Sequence, residues 1–154
     1  MSVELRPIGD AEYADWRARV EADYAQDMID AGVDAEEARK KAERDFPALL
    51  PDGAATEGQD LYSVVDDGES VGVLWLCERD LDGGRGLFVY DVRIDAERRG
   101  HGYGRAAMEL AEAEAKRRGL SRVALNVFGG NDVARNLYRS LGYTETAIFM
   151  MKVV

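Results

Sequence analysis

Residues 89–119 read VYDVRIDAERRGHGYGRAAMELAEAEAKRRG, and the organisation of the chain turns on them. The apolar, β-branched run from Leu87 to Ile94 ends in a charged turn. Gly100, Gly102 and Gly104 follow at alternate positions, and a long helix-forming segment opens directly after them. Strand, glycine-rich turn, helix is a layout that offers bare backbone N–H groups to an anion. The first N–H groups of a helix lack intrahelical partners, and the dipole there favours negative charge. Glycine lets the backbone approach a ligand closely and take conformations that other residues resist. The segment is also locally basic, through Arg93, Arg98, Arg99 and Arg105. It reads as a pyrophosphate site.

Two phosphate motifs do not fit. A Walker loop places Lys-Ser/Thr after its last glycine, and Arg105-Ala106 stands here. A dinucleotide fingerprint needs G-x-G-x-x-G and a later acidic residue, whereas the spacing here is G-x-G-x-G and no acid ends the next strand. Arg-x-x-Gly-x-Gly, at Arg99, Gly102 and Gly104, does fit.

A second stretch, SRVALNVFGGNDVARNLYRSLGY, runs from Ser121 to Tyr143. Val123, Leu125 and Val127 alternate with Ala124, Asn126 and Phe128, which predicts a strand. Gly129-Gly130 breaks it. Asn131 or Asp132 then caps a helix to about Leu141, with Gly142 suited to its C-terminal cap. The pattern is Asn-x-x-Ala-x-x-x-Tyr-x-x-x-Gly-Tyr, at Asn131, Ala134, Tyr138, Gly142 and Tyr143. With both motifs in this order, residues 61–154 resemble the GNAT superfamily of N-acetyltransferases.

The resemblance implies an α/β three-layer sandwich, with a mixed, mostly antiparallel twisted sheet flanked by about four helices. It implies one domain over 1–154, with acceptor-side helices in 1–60 and an acetyl-CoA-binding core in 61–154. Acetyl-CoA is the implied co-substrate, and no metal is expected. Val92, Arg93 and Ile94 would pair their backbone with the pantetheine arm. Arg99, Gly100, His101, Gly102, Tyr103 and Gly104 would cradle the pyrophosphate, with Arg98 and Arg105 either solvated or helping the anion from the rim. Asn131 and Ala134 would meet the cofactor at the next helix start. Tyr138 would protonate the departing thiolate, which its phenol, with a pKa near 10, is suited to do. His101 is the only histidine, but its place inside the loop argues against a role as base. Asp91, Glu78 and Tyr90 are the side-chain candidates for the base, beside a water relay or an amine that arrives neutral. In many relatives an acidic residue occupies the position that here falls on Tyr90. Two other classes stay open: a non-catalytic acyl-CoA-binding or sensor module, and a transferase with a longer acyl group or an oxygen acceptor.

Composition narrows the partners. The length of 154 residues suits one domain with a substantial core. No apolar run reaches the roughly 18 residues that span a bilayer, and residues 1–16 lack the basic start and apolar stretch of a signal peptide. Cys77 is the only cysteine, so no internal disulfide can form and a reducing cytoplasm is expected. Residues 1–60 carry 16 acidic and 7 basic side chains, which accounts for nearly all of the chain's net charge of −10. Such acidity disfavours nucleic acid. It attracts cations instead, which predicts a positively charged amine: a polyamine, an aminoglycoside-like compound, or a lysine or N-terminus on a protein.

The remaining elements follow from local signals. A strand is expected over 3–8 and a helix over 11–30, capped by Asp10, with Tyr13, Trp16, Val20 and Tyr24 at near-helical spacing for a core or an acceptor pocket. Asp34 and Glu37 resemble a capping box for a helix over 35–46, ended by Pro47 and Pro51-Asp52-Gly53. Strands over 61–65 and 71–78 flank Asp66-Asp67-Gly68, a hairpin signal, and a second turn at 80–85 leads into a strand over 86–94. A last strand is expected over 143–153, a candidate edge for a homodimer.

Overall fold

The computed structural model describes residues 1–154. Strand β1 (Val3–Pro7) leads into helices α1 (Asp10–Asp30) and α2 (Ala35–Leu49). Strands β2 (Gln59–Asp66), β3 (Glu69–Leu81) and β4 (Gly84–Ile94) form a meander. Helix α3 (Tyr103–Arg117), strand β5 (Val123–Leu125) and helix α4 (Asp132–Ser140) follow. The five strands make one sheet in chain order. The first four pair antiparallel, and β5 runs parallel to β4.

Local chemistry explains most boundaries. Asp67 and Gly68 both take positive φ, +48° and +82°, the conformation that a two-residue turn between twisted strands requires. Asp34 accepts from the Glu36 and Glu37 N–H groups and so caps α2. Gly9 rather than Asp10 stands at the cap of α1. Helix α2 does not stop at Pro47 but continues to Leu49. Phe46 and Leu50 are both buried there, and their packing carries the helix past the N–H that proline lacks.

Alternation along the strands gives the sheet two apolar faces. Leu74, Leu76, Leu87 and Val89 pack against Ala107, Met108 and Ala111 of α3, whose small side chains let that helix sit close. On the other face, Leu61, Val73 and Trp75 pack against Trp16 and Val20 of α1 and Phe46 of α2. Helices on both faces make the three-layer sandwich.

Two departures shape the site. In the β3–β4 ladder Trp75 opposes Asp91 and Leu76 opposes Val89, so Tyr90 is an extra residue, a β-bulge. The β4–β5 ladder covers only Leu87–Val89 against Val123–Leu125. The strand expected to reach Phe128 thus ends at Leu125, and beyond Val89 the two strands part. From Tyr90 to Ile94, β4 has no partner on that side.

The last expected strand, 143–153, does not form: residues 144–154 belong to no ladder and are exposed. Their composition suits a strand, but a strand exists only against a neighbour with free N–H and C=O groups.

Candidate active site

Where β4 and β5 part, a cavity of about 1240 Å³ opens. Its wall is built from the β4 stretch Phe88–Ile94, the glycine loop, the start of α4, and the α1 and α2 side chains Tyr24, Asp27 and Phe46.

The glycine loop forms one end. Gly100 and Gly102 have φ of +78° and +86°, and Gly102 stands at the N-terminal cap of α3. None of the backbone N–H groups from Gly100 to Arg105 donates to a backbone acceptor; the first bond of α3 runs from the Ala106 N–H to the Gly102 carbonyl at 3.1 Å. A consecutive run of unpaired N–H groups at a helix start is an anion cradle. A Cβ at Gly104 would sit 3.3 Å from Leu137 Cδ2, so the loop also packs closely on α4. The Arg99 guanidinium donates back to the Ile94 carbonyl at 3.0 Å and fixes the loop to the strand end. Tyr103 donates to Asp66 at 2.7 Å, and Arg98 pairs with Glu69 at 2.6 Å. His101 is exposed, with its Nδ1 3.2 Å from the Arg98 carbonyl oxygen.

Helix α4 supplies a second wall beside the loop. Asn131 accepts from the Ala134 N–H at 3.2 Å, so its side chain caps the helix at the cavity rim. At the other end the Gly142 N–H donates to the Arg139 carbonyl and the Tyr143 N–H to the Tyr138 carbonyl, each at 3.0 Å. This is the Schellman arrangement, and Gly142 has the φ of +94° that it requires. The ring contact that accompanies such a cap is Tyr138 on Tyr143, edge to face at 6.0 Å. Tyr138 lines the cavity. Burial, and then the charge of Asp91, push its hydroxyl up to about 12.

The bulge places both Tyr90 and Asp91 on the α1 face. Tyr90 stacks on Trp75 at 4.6 Å, and Trp16 donates its indole N–H to Asp91 Oδ2 at 2.9 Å. Arg93 Nε lies 3.5 Å from the same oxygen, and the other end of that guanidinium pairs with Asp23. Burial pushes the Asp91 carboxyl up, against the pull of Arg93 and Trp16. Glu78 is not in the cavity; it pairs with Arg85 at 3.3 Å.

The α1 and α2 end is acidic and aromatic. Asp23, Asp27 and Asp45 line it beside Tyr24, Phe46 and Trp75. Burial raises the Asp27 carboxyl, with Arg93 opposing. Sequence reasoning singled out neither Asp23 nor Asp27, although their four-residue spacing on a helix puts both on one face. Trp16 and Tyr24, expected as core or pocket, divide: Trp16 is fully buried, and Tyr24 lines the cavity.

The chain and its fold are similar to known acetyltransferases. The model of the acetyltransferase (GNAT) family matches residues 18–143. An uncharacterised N-acetyltransferase of Bacillus subtilis, YycN, is 29% identical over 99% of each chain. Its crystal structure superposes with a TM-score of 0.92 over 99% of both. A mycothiol acetyltransferase of Thermobispora bispora is 43% identical over 41% of this chain and 21% of its own. A structure from Clostridium acetobutylicum solved with acetyl-CoA shares the fold, with a TM-score of 0.60 over 99% of this chain and 96% of its own at 13% identity.

Proposed function

The chain belongs to the GNAT family of acetyltransferases, and from that premise we propose that it transfers the acetyl group of acetyl-CoA to a positively charged primary amine. One observation carries the reading. The unpaired N–H run from Gly100 to Arg105 opens on the same cavity as the unpaired edge of β4. The first suits a pyrophosphate, flanked by Arg99 and Arg105. The second suits an extended arm, which the backbone of Val92, Arg93 and Ile94 can pair as a strand would. A free N–H in that stretch can also polarise the thioester carbonyl as it becomes an oxyanion. Asn131 and Ala134 border the arm from α4.

Tyr138 is the proton donor to the leaving sulfur. Its hydroxyl stays protonated through neutral pH, and it lines the same cavity as Asp91. The cationic acceptor is supported by the sign of the opposite end, where Asp23, Asp27, Asp45 and Asp91 outnumber Arg79 and Arg93. The two ends of the cavity thus favour opposite charges. Tyr24, which also lines the acidic end, adds an aromatic ring of the kind that attracts ammonium groups.

We also propose that the chain forms a homodimer. Six of its nine exposed large hydrophobic side chains lie between Ile148 and Val154, more apolar surface than a lone tail is expected to leave in water.

The test of the transferase reading is acetyl-CoA turnover, read as free thiol, against polyamines, aminoglycosides, amino acids and lysine peptides. The expected result is release that depends on the acceptor and favours polycations. Silence across the panel with a thermal shift from acetyl-CoA would favour a binding module. No thermal shift would overturn the cofactor site.

A further inference from the structure

Amide formation requires a proton to leave the attacking nitrogen, and neither the glycine loop nor Tyr138, a donor, can accept it. Four carboxylates line the cavity. Asp23 is held by Arg93 and Asp45 by Lys41, while Asp27, shielded on one side by the cavity wall, keeps an exposed side chain on α1. Asp91 differs in place and surroundings. Its side chain is only 17% exposed, and it belongs to the β4 stretch whose edge is unpaired. In a regular strand, Tyr90 and Asp91 would point to opposite faces of the sheet. The bulge turns both toward α1, so Asp91 enters the cavity instead of the core on the α3 side. Trp16 and Arg93 both address Oδ2, which orients the carboxyl and leaves Oδ1 as the free acceptor.

We propose that Asp91 takes the proton from the amine, with Trp16 and Arg93 as its positioning residues. The proposal rests on the acetyl-transfer reading. As the nitrogen bonds to the carbonyl carbon, its proton passes to Asp91. As the C–S bond breaks, the sulfur takes the Tyr138 hydroxyl proton. The proton on Asp91 then restores Tyr138 through water, so one proton moves in net from nitrogen to sulfur. An acceptor that arrives as an ammonium first sheds one proton to solvent. The charged groups around Asp91 are Asp23 and Asp27 on α1 and Arg93 on β4, and the titratable neutral group is the Tyr138 hydroxyl on α4. A buried carboxyl held above its ordinary range suits this task, because a base works best when its pKa approaches the working pH.

The test is kcat/KM against pH for the whole protein, with spermidine and with a less basic primary amine. A limb set by the acceptor moves with the acceptor's own pKa, whereas a limb set by Asp91 does not. The expected profile has an acid limb common to both amines, above the ordinary carboxylate range. Asp91→Asn should abolish that limb and lower kcat about 10²- to 10⁴-fold, with acetyl-CoA affinity by calorimetry unchanged. Asp91→Glu should keep a limb at a displaced pH and recover part of the rate. Trp16→Phe removes the donor that stabilises the carboxylate, and should move the limb to higher pH. Turnover of Asp91→Asn within threefold of wild type would overturn the assignment, as would lost rate with the limb retained. If Asp91→Asn does not fold, an unmoved limb in Asp91→Glu overturns it equally. The two amines are taken from acceptors that the panel shows to be active; a wild type silent toward the whole panel brings down the transferase reading and this assignment with it, and a wild type that turns over beside an active Asp91→Asn brings down the assignment alone.

Discussion

Tyr138 is held by the end of its own helix. The Schellman cap needs a positive φ at Gly142, and it brings the Tyr143 ring onto the Tyr138 ring. Replacing Tyr138 by Phe keeps that ring contact and removes only the hydroxyl. Turnover should fall about 100-fold with little change in acetyl-CoA affinity, measured as kcat beside a calorimetric Kd. A hydroxyl pushed up to about 12 stays protonated well above neutral pH. Loss of this proton should therefore not limit the rate below about pH 10; an alkaline limb near pH 8 that vanished in Tyr138→Phe would keep Tyr138 as donor but overturn the raised pKa, whereas full turnover in Tyr138→Phe would overturn its role as donor. Gly102 invites a second substitution. With φ at +86°, any side chain there is strained by about 1 kcal/mol. Gly102→Ala should weaken acetyl-CoA binding about fivefold, and Gly102→Asp should abolish it by adding negative charge where phosphate binds. Both are read by isothermal calorimetry.

At the scale of elements, the legible parts were those built from near neighbours in sequence. The glycine loop, the Asn131 cap, the Gly142 stop and the Asp67-Gly68 turn each depend on a few consecutive residues, and each stands where its residues predict. The bulge at Tyr90 does not announce itself, because it is defined by a count on the partner strand. Nor does the short β5: Asn126 to Phe128 continue the alternation, yet β4 has already turned away. The continuation of α2 through Pro47 likewise depends on what Phe46 and Leu50 find to pack against. One tie between elements is testable by pH. Glu114 of α3 receives Arg117 and Arg118 and is held down to about 2, and Arg118 reaches on to Asp60 of β2 at 2.9 Å. A carboxylate depressed in the folded state stabilises above its unfolded pKa of 4.5, and that stability is lost as pH falls toward 2. Glu114→Gln should cost about 1 kcal/mol at pH 7, screened as the site is by solvent, and the difference from wild type should shrink between pH 5 and 2 in urea titrations.

For the whole molecule, the apolar tail and the two-signed cavity are the features that reach beyond the fold. The 154-residue chain should sediment as a dimer, and removal of residues 148–154 should leave a monomer that still binds acetyl-CoA; an unchanged oligomeric mass would dismiss the tail as an interface. The cavity's polarity has a consequence for turnover. Under the proposed acceptor class, the reacting nitrogen enters as an ammonium and departs as a neutral amide. Transfer thus removes one positive charge and weakens the attraction that held the acceptor among Asp23, Asp27 and Asp45, while the other product keeps every negative charge that held it against the glycine loop. The reaction loosens one occupant and not the other. The amide should depart first and free CoA last, and CoA should accordingly be the product that competes with the next acetyl-CoA.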